Sequence, residues 1–527
     1  MALGDLILMI GMLVVFVGVM IFVGFYCRKH STDVNGFVLG GRSVGPWLTA
    51  FAYGTSYFSA VIFVGYAGQF GWKFGIASTW VGIGNALIGS LLAWVILGRR
   101  TRIMTQHLSS ATMPDFFDKR FSALSLKIAA SIIIFIFMIP YTASLYNGLS
   151  RLFGMAFQID YSICVIAMAV LTAIYVIVGG YMATAVNDFI QGLIMLVGIV
   201  AVIAAVLGSQ GGFMESLKKL SAVQDPATGE FPGVFNSFFG PDPLSLLGVV
   251  LLTSLGTWGL PQMVGKFYAI KSEGAIHKGT IISTFFAMVV AGGCYFLGGF
   301  GRLFDNANIY NAEGKLIYDA IIPEMLSGLA PFLIAVVIIL VLSASMSTPS
   351  SLVLTSSSTV TLDLLKGRVV KDMDEKKQLL IMRALIVVFI VISAALAIVQ
   401  AKSSVAFIAQ AMGVSWGAMA GAFLAPFLYG LYWKRTTKNG CWASMLFSSI
   451  FMIIDMLANL KVLNLSLGFL QSPINAGAFC MIAGLIIVPL VSLISRAPDK
   501  AAVDAIFSCY ERKVTVTAKD SIETEEQ

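Results

Sequence analysis

Runs of about twenty consecutive apolar residues recur thirteen times along this chain, and that recurrence restricts it to a bilayer. A helix of about 20 residues is what crosses the hydrocarbon core. The runs cover about 5–26, 46–70, 74–98, 123–149, 160–181, 186–208, 243–265, 277–300, 322–356, 379–400, 404–431, 441–460 and 472–495. Only 12% of the 527 residues are charged, half of the roughly 25% usual in soluble domains. High apolar content excludes a disordered chain. The net charge of +7 is not gathered into one basic patch, which argues against a nucleic-acid partner. The expected fold is therefore all-α and polytopic: one transmembrane domain over 1–495, then a polar cytoplasmic tail over 496–527. The first run has no basic leader or small-residue cleavage site, so it reads as a retained span. The six cysteines show no metal or disulfide spacing.

Orientation follows from the loop charges, because Lys and Arg collect on the inner side. With the N-terminus outside and the C-terminus inside, eight of the 34 basic residues fall outside: Lys73, Arg151, Lys218, Lys219, Arg302, Lys315, Lys402 and Lys461. The rest lie in inner loops, among them Lys266, Lys271 and Lys278, or in the tail. Outer segments 209–242 and 301–321 are long enough for short helices over a vestibule. The acidic end, Glu-Thr-Glu-Glu-Gln, reads as solvated.

Two spans are unsuited to an unbroken helix. Span 2 holds Tyr53-Gly54-Thr55-Ser56-Tyr57-Phe58-Ser59-Ala60 near its middle, and span 7 holds Gly256-Thr257-Trp258-Gly259-Leu260-Pro261. Pro261 removes a backbone donor and crowds the preceding turn. The two spans are five apart, an odd number, so equivalent helices run in opposite directions. Spans 2–6 and 7–11 then form an inverted repeat, each half opening on an interrupted helix. That pattern points to a secondary-transporter site near the bilayer midplane.

Span 9 carries Ser343-Ala344-Ser345-Met346-Ser347-Thr348-Pro349-Ser350-Ser351. Hydroxyls at three- and four-residue spacing share one helix side. Small residues also serve close packing, yet this density exceeds what packing needs. Neutral oxygens suit a weakly held monovalent cation, whereas carboxylate cages favour divalent metals. Asp188 opens span 6 and reads equally as a boundary residue or a cation ligand. Asp455 in span 12 lies outside the ten-helix core and reads as structural.

Leu39-Gly40-Gly41-Arg42-Ser43, Gly179-Gly180 after Ile174-Tyr175, and Asn187-Asp188 with Gln191 form one set of landmarks. Ala344-x-x-Ser347-Thr348 and Tyr432-Trp433-Lys434-Arg435 with Gly440 form another. Together they resemble the sodium:solute symporter family over essentially the whole chain, nearest its bacterial proline and pantothenate branches. The resemblance implies a LeuT-like five-plus-five inverted repeat within about 46–431 and Na+ as coupling ion. It places a first sodium on Thr55, Phe58, Ala344, Ser347 and Thr348. In some members a second sodium uses an acid like Asp188 with hydroxyls that fall on Ser347, Ser350 and Ser351.

The same resemblance bears on the solute. Tyr141 and Pro261 match residues of the proline carriers, but Tyr57 replaces their Asp, and Thr253 and Thr257 replace their Trp and Tyr. The expected solute is a small carboxylate-bearing molecule: an amino acid such as proline, pantothenate or a monocarboxylate. Expected contacts are Ser56, Tyr57, Ser59, Tyr141, Thr253, Thr257, Trp258 and Pro261. Proton coupling through Asp188 is the first rival, and a non-accumulating sensor or channel the second. No nucleophile–base pair marks an enzyme, no obligate protein partner is evident, and the expected location is a bacterial inner membrane.

Overall fold

The computed structural model describes residues 3–157, 159–225, 231–311, 313–366, 369–370, 372–401 and 408–511. Lys402 and the acidic end of the tail lie outside these residues. Among the described residues the secondary structure is helical, with three isolated bridges and no strand. Lipid dictates this outcome, since a helix satisfies its backbone donors and acceptors within itself. Among the described residues, ten helices are long and apolar enough to cross a membrane, or eleven when the bent pair at span 7 is counted. Two of them exceed any single crossing: Val61–His107 with 47 residues and Tyr161–Ser209 with 49.

Each of these long helices contains one glycine with reversed backbone. Gly75 has φ 62°, ψ −144°, and Gly180 has φ 55°, ψ −148°. This region is essentially restricted to glycine. A Cβ at Gly180 would also press on Phe37, 2.8 Å from its ring and 3.0 Å from its carbonyl oxygen. Gly180→Ala is therefore expected to lose about 2 kcal/mol or more of stability, read as a lowered melting temperature in detergent.

The two expected breaks both occur. Span 2 begins as Pro46–Tyr57, is extended at Phe58 (φ −79°, ψ 115°), and resumes through wide turns at Val61–Tyr66 into Ala67–Phe74. Span 7 runs Pro243–Gly259, is extended at Leu260 (φ −81°, ψ 123°), and resumes as Pro261–Ala269 at an angle of 45°. The two breaks thus share one backbone conformation. Glycines bring the neighbouring spans into backbone contact: Gly71 faces Gly298, and Gly82 faces Gly292. Spans 2, 3 and 8 are joined at these points, where small residues permit close approach.

Several boundaries differ from the sequence reading. Residues assigned to the start of span 9 belong to a separate short helix, Tyr318–Ser327, and the span itself is Pro331–Thr359. Alanine and Pro331 reopen the helix there, which apolar content alone conceals. Segments 209–242 and 301–321 do carry short helices, Phe213–Ala222 in one and Gly301–Phe304 with Ala307–Ile309 in the other. The first part of the tail is not free: Lys500–Phe507 packs on the body, burying Val503, Phe507 and Cys509. Arg100 lies 4.1 Å from the Tyr432 ring and 4.6 Å from that of Tyr510, fastening the tail to the end of span 3. All six cysteines are buried.

Candidate functional site

The break in span 2 creates the first feature of the site. Phe58 N–H donates back to the Gly54 carbonyl (2.9 Å), and the carbonyls beyond that turn lie past the end of the helix. The Thr55 carbonyl is turned toward span 9, where it accepts from Ser347 Oγ and Thr348 Oγ1, both at 3.2 Å. Ser347 Oγ also reaches the Ala344 carbonyl at 3.5 Å. Four of the five residues named for a first sodium therefore meet in one buried cluster of neutral oxygens. The fifth, Phe58, is the extended residue of the break itself. The other hydroxyls of span 9 are used differently. Ser345 Oγ donates to Val341 within its own helix (2.7 Å), and Ser350 Oγ donates to the Ser347 carbonyl (2.7 Å).

A second cluster lies beside the first. Ser351 Oγ is 3.0 Å from Ser56 Oγ, so spans 9 and 2 touch again. Asp188 is 1% exposed, and neither carboxylate oxygen accepts a hydrogen bond among the described residues. The group facing it is Lys266, whose Nζ is 3.9 Å from Asp188 Oδ2 and donates to Ser351 Oγ at 3.0 Å. The Lys266 ammonium also lies 5.2 Å from the centre of the Tyr181 ring. Lys266 is 2% exposed. It is not the inner-loop charge that the span boundaries implied. The helix after the span 7 break continues to Ala269 and carries the lysine inside the bundle.

The residues expected to contact solute divide into two groups. The rings of Tyr57 and Tyr141 each lie 5.9 Å from that of Trp416, and the Tyr57 hydroxyl is beside Thr253 and Tyr295. Ser56 and Ser59 are fully buried at the break. Thr257 and Trp258, by contrast, are spent on the scaffold. Thr257 Oγ1 donates to the Gly89 carbonyl and Trp258 Nε1 to that of Ile88, both at 2.9 Å. Those carbonyls belong to a stretch of wide helical turns in span 3, Asn85–Leu92. Thr253 Oγ1 donates to Val249 in its own helix (2.8 Å).

Pro261 opens the second half of span 7 and lines a narrow cavity of about 50 Å³ with Gln262, Lys266, Tyr181, Ser351 and Thr355. Gln262 was not among the sequence candidates. It is 2% exposed, and its amide oxygen and nitrogen have no partner among the described residues. A buried amide normally finds hydrogen bonds, so this one is free to meet a polar ligand. Its position one residue beyond the break proline was the available signal. Asp455 is buried in span 12, and Asn459 Nδ2 donates to its carboxylate at 3.1 Å.

The osmoregulated proline transporter OpuE of Bacillus subtilis is 29% identical over 499 residues, covering 92% of this chain and 94% of that protein. The sodium/proline symporter of Escherichia coli is 28% identical, covering 82% of this chain and 85% of its own. Among solved structures, a substrate-bound outward-open state of a Na+-coupled sialic acid symporter superposes with a TM-score of 0.70. It covers 93% of this chain and 98% of that chain at 19% identity, which establishes a shared fold. Residues 37–448 match the model of the sodium:solute symporter family. The chain belongs to that family, and is therefore a multi-pass membrane transporter with sodium as its coupling ion.

Proposed function

We propose that this protein imports a small carboxylate-bearing solute with sodium by alternating access, and that the first sodium binds at Thr55, Phe58, Ala344, Ser347 and Thr348. The observation carrying this reading is the convergence of two span 9 hydroxyls on a carbonyl released by the span 2 break. Sodium entering there turns the hydroxyl lone pairs inward and ties span 2 to span 9 through an ion instead of two hydrogen bonds. Solute then binds by the breaks, among Ser56, Tyr57, Ser59, Tyr141 and Gln262, under Trp416. Each ligand raises the other's affinity by the same factor. The backbone contacts among spans 2, 3 and 8 support their moving as one unit with span 7. Dividing the two over-long helices at Gly75 and Gly180 supports thirteen crossings, with the N-terminus outside and a bacterial plasma membrane as the site of action.

The proline transporters among its relatives make proline the first solute to test. Departures at Tyr57, Thr253 and Thr257 keep pantothenate and short monocarboxylates beside it. Purified protein would be melted with each compound, in sodium and again in potassium. A ligand that binds only the folded state raises its apparent stability. The expected result is one compound that stabilises in sodium alone; stabilisation that ignores sodium for every compound overturns the reading. With the solute in hand, Gln262→Ala is expected to raise its KM about tenfold through one lost hydrogen bond. The sodium requirement at saturating solute should stay unchanged.

A further inference from the structure

The Asp188 cluster contains the residues to which the resemblance gave a second sodium, and a cation of the chain's own already stands among them. Asp188 and Ser351 are two of that set, and Lys266 Nζ engages both, at 3.9 Å and 3.0 Å. A third member, Ser350, has its hydroxyl committed to the Ser347 carbonyl at 2.7 Å. The fourth, Ser347, is bonded to Thr55 in the first cluster. An ammonium carries the same unit charge as sodium and presents three donors to surrounding oxygens. One carboxylate and one ammonium leave the pocket neutral, so sodium added there would give a buried, net positive site within contact distance of another cation.

We propose that Lys266 is a tethered cation filling the pocket of a second sodium, so that this transporter binds and carries one sodium ion per cycle. The lysine joins the second half of span 7 to spans 6 and 9, the same kind of link that the first sodium makes between spans 2 and 9. The difference is permanence: the lysine link survives ion release, while the sodium link does not. This proposal rests on the sodium reading of the Thr55 cluster.

The test is equilibrium binding of radioactive sodium to the purified full-length protein, with saturating solute, for the wild type, Lys266→Ala and Lys266→Ala/Asp188→Asn. The wild type is expected to bind one ion per chain. Lys266→Ala should bind two, because the amine is gone and Asp188 with its neighbouring hydroxyls is vacant. The double variant should return to one. Two ions on the wild type overturn the proposal and leave sodium symport standing. None on the wild type overturns the sodium reading of the Thr55 cluster itself. A monodisperse Lys266→Ala that still binds one ion also overturns the lysine assignment. If Lys266→Ala does not fold, the charge carried per neutral solute in wild-type proteoliposomes decides: one charge is expected, and two overturn the proposal.

Discussion

Replacing Ser347 and Thr348 together with alanine is expected to raise the sodium needed for half-maximal uptake about a hundredfold. Each hydroxyl contributes one of the few neutral oxygens around the Thr55 carbonyl, and a contact to a charged group is worth about 1.5–3 kcal/mol. Losing two removes about 3 kcal/mol or more of ion binding, and each 1.4 kcal/mol is a factor of ten. Either single variant should show about a tenfold rise. Ser345→Ala is the control, since that hydroxyl is bonded within its own helix to Val341 and its loss should leave sodium dependence in place. Uptake into proteoliposomes across a sodium series reads all four. An unchanged sodium requirement in the double variant would remove the ion from this cluster.

Asp188→Asn is expected to destabilise the protein by about 3–5 kcal/mol in sodium-free potassium buffer, the range for breaking a buried ion pair from one side. The pair stands 3.9 Å apart with side chains only 3% and 1% exposed. At an effective dielectric of about 20, that separation corresponds to about 4 kcal/mol of attraction. Removing the acid leaves an ammonium inside the bundle with one hydroxyl and an aromatic face. The expected compensation is specific: Asp188→Asn combined with Lys266→Met should recover most of the loss, since neither charge is then stranded. Thermal melting of the single and double variants checks this. A double variant as unstable as Asp188→Asn alone would show that the acid's role does not run through Lys266.

What the sequence made legible were features written in residue type. Glycine and proline at Tyr53–Ala60 and Gly256–Pro261 locate both breaks, because those residues alter the backbone locally. The hydroxyl run at Ser343–Ser351 locates the cluster of neutral oxygens, because Ala344, Ser347 and Thr348 lie on the helix side that meets the span 2 break. Other features depend on tertiary direction. Lys266 looks like a loop charge because apolar content ends at Gly265, but the 45° bend carries the next turn into the bundle rather than toward water. Thr257 and Trp258 look like solute contacts beside a break. Their partners are carbonyls in the wide turns of Asn85–Leu92, and no proline or glycine pair in that stretch marks the geometry. Gln262 was hidden for a similar reason: an amide at the first turn of a half-helix is ordinary until its surroundings offer it no partner.

The buried amine of Lys266 also limits how steep a solute gradient the transporter can build. An inward potential of 100 mV is worth about 2.3 kcal/mol per charge, and a tenfold sodium gradient adds about 1.4 kcal/mol. One ion per neutral solute therefore supports an inside-to-outside ratio of about 500. Two ions would square that figure to about 2.5 × 10⁵. A fixed ammonium does not travel down the gradient, so it contributes nothing to that ratio while halving the sodium that must be pumped back out per molecule gained. A carrier built this way suits a solute that is present outside at useful levels and taken up in bulk, rather than one scavenged from traces.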